Sequence, residues 1–101
     1  MTPQKILEVI SRYEKRLVAE GVPKKRINTS LSFGVCTSAD LLSHAHYLCE
    51  GLRNAICCGE RNTYKHDKAN RHLTAIQMCL SFANWYTLEQ LMEHNRTLAD
   101  A

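Results

Sequence analysis

Ten of the 101 residues are cysteine or histidine, the side chains best suited to bind a metal or attack a substrate. They are Cys36, Cys49, Cys57, Cys58 and Cys79, with His44, His46, His66, His72 and His94. A zinc site needs ligands that converge on one ion, and the usual local spacings are C-x-x-C and H-x-x-x-H. Neither spacing occurs in the chain. On a helix, His44 and His46 stand about 200° apart and Cys57 and Cys58 about 100° apart, so neither pair shares an ion. The one remaining arrangement is a site assembled across two helices from Cys49, Cys79 and a histidine.

A cysteine nucleophile needs a neighbouring base and a setting that favours the thiolate, such as a helix N-terminus. Cys36 precedes a helix, and His66 or His72 would be its base, but no spacing fixes that geometry. No glycine-rich phosphate loop is present. The chain is therefore expected to be no enzyme and to hold neither metal nor cofactor. The odd number of cysteines and the lack of an apolar secretory segment point to reduced thiols packed as small hydrophobes.

The elements that would carry these residues are helical. One hundred and one residues make a single domain, 1–101, and 45% hydrophobic with 23% charged residues is a globular composition. Four glycines and two prolines are too few for a many-turned β architecture. No stretch is apolar enough for a membrane span, and Met1 to Lys5 leads directly into an amphipathic pattern, so a cytoplasmic location is expected. Thr2 and Pro3 open a first helix over about 3–20, closed by Gly21 and Pro23. A loop over 21–37 follows, in which Leu31, Phe33 and Val35 alternate as in an extended strand. The second helix spans about 38–57, capped by Thr37-x-x-Asp40 or Ser38 and stopped by Gly59. Gly51 inside it would let another helix approach closely. The third spans about 63–85 and is apolar nearly all round beyond Leu73, as a buried helix is. Thr87 and Gln90 form a capping box for a fourth helix over about 88–98. Trp85 and Tyr86 would wedge between the last two helices, and Asn95 would cap the end. The fold class is all-α: a small bundle of about four helices built on a central antiparallel hairpin.

The net charge of +3 is unevenly spread. Residues 1–26 hold seven Lys/Arg against three acids, and residues 61–72 hold four against one. The remaining two stretches are each net negative. Two features stand out: the loop triplet Lys24, Lys25, Arg26, and a helical stripe of Arg61, Lys65, Lys68 and His72 flanked by Arg71.

From Ser38 onward the chain resembles a set of small accessory proteins of tailed phages and prophages. The resemblance rests on the Leu/His-rich helix ending near Gly59 and on Arg71-His72-Leu73-x-x-Ile76-Gln77. It closes on Tyr86-Thr87-Leu88-x-x-Leu91-x-x-His94-Asn95-Arg96. It covers residues 38–96 and implies no catalytic residue, since that family has no established activity. It implies an accessory protein that binds, and inhibits, a host protein or defence complex in the host cytoplasm. The candidate contact residues are Arg61, Tyr64, Lys65, Lys68, Arg71, Lys24, Lys25 and Arg26, beside an aromatic corner at Trp85 and Tyr86. The alternative is a nucleic-acid-binding regulatory module using the 61–72 stripe. A homodimer through the first helix is a further expectation.

Overall fold

The computed structural model describes residues 2–57 and 66–96. Within them the chain forms four α-helices and no strand: α1 (Pro3–Ala19), α2 (Ser38–Cys57), α3 (His66–Phe82) and α4 (Leu88–Asn95). A single 3-10 turn, Phe33–Val35, lies between α1 and α2. The all-α bundle expected from the sequence is the fold.

Local chemistry sets the helix ends. The Thr2 hydroxyl accepts the Lys5 N–H at 3.1 Å, and Pro3 takes the first helical position. At the other end of α1, Gly21 adopts φ 70°. The N–H groups of Val22 and Gly21 return to the carbonyls of Leu17 and Val18 at 2.9 and 3.0 Å. This Schellman arrangement favours a residue without Cβ in its left-handed position. α3 ends in the same way on Asn84, at φ 65°, with Trp85 N–H bonded to Leu80 O at 3.0 Å and Asn84 N–H to Ser81 O at 2.9 Å. The third helix therefore stops at Phe82 and not at residue 85; residues 63–65 of its expected range lie outside the described part. Thr37, rather than Ser38, caps α2: its hydroxyl accepts Asp40 N–H at 3.1 Å, and Asp40 accepts Thr37 N–H at 3.3 Å. The Thr87–Gln90 capping box opens α4 as expected, with bonds of 3.2 and 2.9 Å. That helix ends at Asn95, short of the expected 98, because Arg96 turns extended (φ −70°, ψ 143°).

α2 and α3 form the most extensively packed pair, α1 packs against both, and α4 rests on α1. The core is filled from α1 by Ile6, Val9, Ile10, Tyr13 and Leu17, and from α2 by Leu41, Ala45, Cys49 and Leu52. α3 adds Ala69, Leu73, Ile76, Cys79 and Leu80, while α4 adds Leu91 alone. Most of the apolar face of α1 is thus buried within the chain, while Leu7 is partly buried and Val18 is exposed. α1 is also tied to α2 by Arg53, whose Nε donates to Glu14 at 3.0 Å and whose Nη2 donates to the same carboxylate and to Ser11 Oγ at 2.6 Å.

A polar network runs through the junction of α1, α3 and α4. Tyr13 is fully buried. Its hydroxyl accepts from Gln77 Nε2 at 3.1 Å and donates to His94 Nδ1 at 2.8 Å. Gln77 and Asn95 exchange amide hydrogen bonds of 2.8 and 3.2 Å. Burial pushes the His94 pKa down, which favours the neutral imidazole whose Nδ1 accepts the Tyr13 proton and whose own hydrogen is on Nε2. Tyr86 closes the cluster, with ring centroids 5.5 Å from Tyr13 and 4.9 Å from His94. The Arg16 guanidinium lies 4.2 Å from the Trp85 ring centroid and 5.2 Å from that of Tyr86. The Trp85–Tyr86 corner therefore packs onto α1, and Tyr86 also meets α4 through His94. Its rings are engaged there and remain partly exposed. Asn95 likewise turns inward to Gln77 and is not a helix cap.

Gly51 is exposed, and a Cβ built on it meets nothing within 4 Å, so no described helix makes a close approach there. Its conformational freedom is a cost with no packing return. Gly51→Ala is expected to stabilise the protein by about 1 kcal/mol, read as a raised midpoint in urea with an unchanged slope.

Candidate functional site

The loop after α1 is held on α2 by three hydrogen bonds. His46 Nδ1–H donates to Val22 O at 2.8 Å, Lys25 N–H to Ser43 O at 3.2 Å, and Ile27 N–H to His44 Nδ1 at 3.4 Å. Their α2 anchors fall within four consecutive residues, so one turn of helix fixes the course of the loop. Asn28 then turns the chain back: its side chain accepts Ser30 N–H at 2.9 Å and its carbonyl accepts Leu31 N–H at 3.0 Å. The extended piece expected at Leu31, Phe33 and Val35 is instead the 3-10 turn, closed by Val35 N–H to Ser32 O and Cys36 N–H to Phe33 O. The turn drops Phe33 against the core and leaves Leu31 and Val35 49% and 67% exposed.

Four rings line up across this face. Phe33 meets Phe82 edge-on with centroids 6.2 Å apart, and meets His44 edge-on at 6.2 Å. His44 in turn stacks on Tyr47 at 6.1 Å and 18°. Beside the row lies a cleft of about 460 Å³ whose walls include Arg26, Leu31, Phe33, His44, Tyr47 and His72. A second hollow of about 430 Å³ shares Arg26, Ile27 and Leu31 and adds Lys25 and Asp40. Burial, and then the nearby Arg26 charge, push the pKa of His44 down, which keeps its Nδ1 free to accept the Ile27 N–H.

The residues expected at the site are only partly brought together. Arg26 lines both hollows, and Lys25 lines the second. Lys24 pairs with Glu50 at 3.5 Å. Lys68 and Arg71 are exposed on α3 and line neither hollow. His72 of the same stripe does line the first, its Nδ1–H donating to Lys68 O at 2.9 Å. The two basic stretches of the sequence thus converge at Arg26 and His72. Arg61, Tyr64 and Lys65 lie outside the described residues. The row of Phe33, His44, Tyr47 and Phe82 was not legible as a site. Its one local trace is the His44-x-x-Tyr47 spacing, which puts both rings on one side of α2.

The thiols and carboxylates show little that resembles a catalytic centre. Burial pushes the Cys49 thiol up to about 12 and the Cys79 thiol up to about 11, so both are protonated at neutral pH. Cys36 donates to Ser32 O at 3.4 Å rather than to an imidazole. Among the described residues no group of three or more His, Cys, Asp or Glu is placed to hold a metal ion, which includes the arrangement of Cys49, Cys79 and a histidine. No helix there is long and apolar enough to cross a membrane. Compared with protein-family models, curated proteins and solved structures, the chain matches none.

His94 has its pKa pushed down by burial first and by Arg12 next, against an opposing pull from Glu93. His44 shifts the same way. A histidine with a depressed folded pKa binds its proton more readily when unfolded, so its contribution to stability is full above the reference value of 6.5 and is lost as pH falls below it. Urea unfolding from about pH 7.5 to about pH 5.5 is expected to show falling stability, with the two imidazole resonances titrating below 6.5. In a thiol-reagent assay, Cys36 and Cys57 are expected to react in the native state, and Cys49 and Cys79 only as the protein unfolds.

Proposed function

We propose that this chain is a non-enzymatic binding protein that docks a protein partner on the face formed by the loop after α1, α2 and the C-terminal end of α3. The partner is a host protein or defence complex whose action it inhibits, in the host cytoplasm, as an accessory protein of a tailed phage or prophage would. The observation that carries the reading is the pairing of exposed apolar groups with a bordered cleft on one face. Leu31, Val35 and Phe82 expose 49%, 67% and 58% of their surface, beside a loop and imidazoles held in place by hydrogen bonds. Protein interfaces combine such apolar and aromatic anchors with a polar rim that includes arginine. The raised pKa values of the buried thiols support a role without covalent chemistry.

The nucleic-acid alternative draws on Lys68 and Arg71, which are exposed on α3. Exposed aliphatic side chains favour a protein partner over it, because Leu31 and Val35 offer nothing to a phosphate backbone.

The test is a tagged pull-down from bacterial host lysate, with and without nuclease, using the natural chain and Leu31→Asp. A single host protein that survives nuclease and is lost with Leu31→Asp is the expected result. Capture only from untreated lysate, or capture indifferent to Leu31→Asp, overturns the proposal.

A further inference from the structure

The lining of the first cleft has an unusual balance. Arg26 supplies a fixed positive charge, His44 and His72 supply imidazoles, and among the described residues no carboxylate lines it. Apart from Thr29, the rest of the described wall is apolar or aromatic, from Leu31, Phe33 and Tyr47 among others. At about 460 Å³ it is within the size range of clefts that take specific ligands. Its shape does not wait for an occupant, because the loop wall is already bonded to α2 through His46, Ser43 and His44. A preformed wall spares the occupant the entropy of ordering it.

We infer that this cleft receives an acidic segment of a partner protein, with an apolar side chain seated between Leu31, Phe33 and Tyr47 and a neighbouring Asp or Glu carboxylate held by Arg26. The inference rests on the protein-binding reading above and narrows it to one chemistry. Charge complementarity selects the acid: the described lining places a guanidinium and no carboxylate in an open cleft, which makes a positive concavity. The exposed aliphatic rim selects a peptide that also carries apolar groups. A single-stranded nucleic acid is the weaker fit for a geometric reason. Bases stack on rings whose faces are open. Here Phe33 meets both of its ring neighbours edge-on, and one face of His44 is taken by Tyr47.

His44 is held neutral by its acceptor bond from Ile27, so its remaining ring hydrogen, on Nε2, is a neutral donor. The carboxylate therefore meets the Arg26 charge beside a neutral His44 donor. A charge pair at such a half-open site lies between an exposed ion pair and a fully buried one, so reversing Arg26 is expected to weaken binding about tenfold.

The experiment uses the full chain and four labelled probes, read by fluorescence anisotropy and by amide and imidazole NMR shifts. The probes are a peptide alternating Glu with Leu, its Lys–Leu counterpart, an all-Glu peptide, and oligothymidylate of similar length. The Glu–Leu peptide is expected to bind, to shift resonances of Leu31, Phe33, His44, Tyr47 and His72, and to lose about tenfold in affinity with Arg26→Glu. Lys15→Glu on α1 makes the same change in net charge and is expected to leave binding unchanged. Circular dichroism establishes that each variant folds, and the milder Arg26→Gln gives a smaller loss in the same direction. Equal binding of the all-Glu peptide, an equal effect of Lys15→Glu, or shifts confined to another face overturns the inference. So does binding of oligothymidylate without the Glu–Leu peptide. If no peptide binds while the pull-down still captures a partner sensitive to Leu31→Asp, the acidic assignment fails and the protein-binding reading stands.

Discussion

Burying the hydroxyl of Tyr13 is the constraint on which the arrangement of the helices turns. The ring sits in the middle of the core, where an unpartnered hydroxyl costs about 1–3 kcal/mol. Its partners come from Gln77 on α3 and His94 on α4, so satisfying one polar atom on α1 fixes where two other helices lie. Burial pushes the Tyr13 pKa up to about 12, which keeps its proton available as the donor to His94. Gln77 and Asn95 extend the same demand, since each amide is complete only when the other is in place. Each such bond adds about 1 kcal/mol net, but leaving one unmade costs more, so the network specifies geometry more than it adds stability.

What could be read from the sequence was what is decided within a few residues. Thr2 with Pro3, Gly21, Thr37 with Asp40, and Thr87 with Gln90 each act on backbone groups at most four residues away, and each marks a real helix end. The errors arise where a distant group intervenes. Asn84 takes the left-handed conformation that glycine usually fills, which shortens α3. Asn95 has a local look of a helix cap, yet its partner is eighteen residues back. Tyr13 and His94 are separated by 81 residues, and no periodicity connects them.

The site follows the same division. The basic triplet and the 61–72 stripe were visible as charge, and Arg26 and His72 do meet at one cleft. The face itself was not visible, because its ring row draws on the loop, α2 and the last residue of α3. His44 and His46 illustrate why. They stand on different sides of α2, which denies them a shared metal. That divergence sends one imidazole to the carbonyl of Val22 and the other to the amide of Ile27, so the geometry that excluded one role supplies another.

α4 has only eight residues and commits only Leu91 to the core. Burying a leucine contributes about 1.5–3 kcal/mol, whereas each residue released regains about 1–2 kcal/mol of backbone entropy. Water can replace every hydrogen bond that His94 and Asn95 make when the helix lifts away. α4 is therefore expected to open below the free energy of global unfolding, its amides exchanging with solvent while α1, α2 and α3 stay folded.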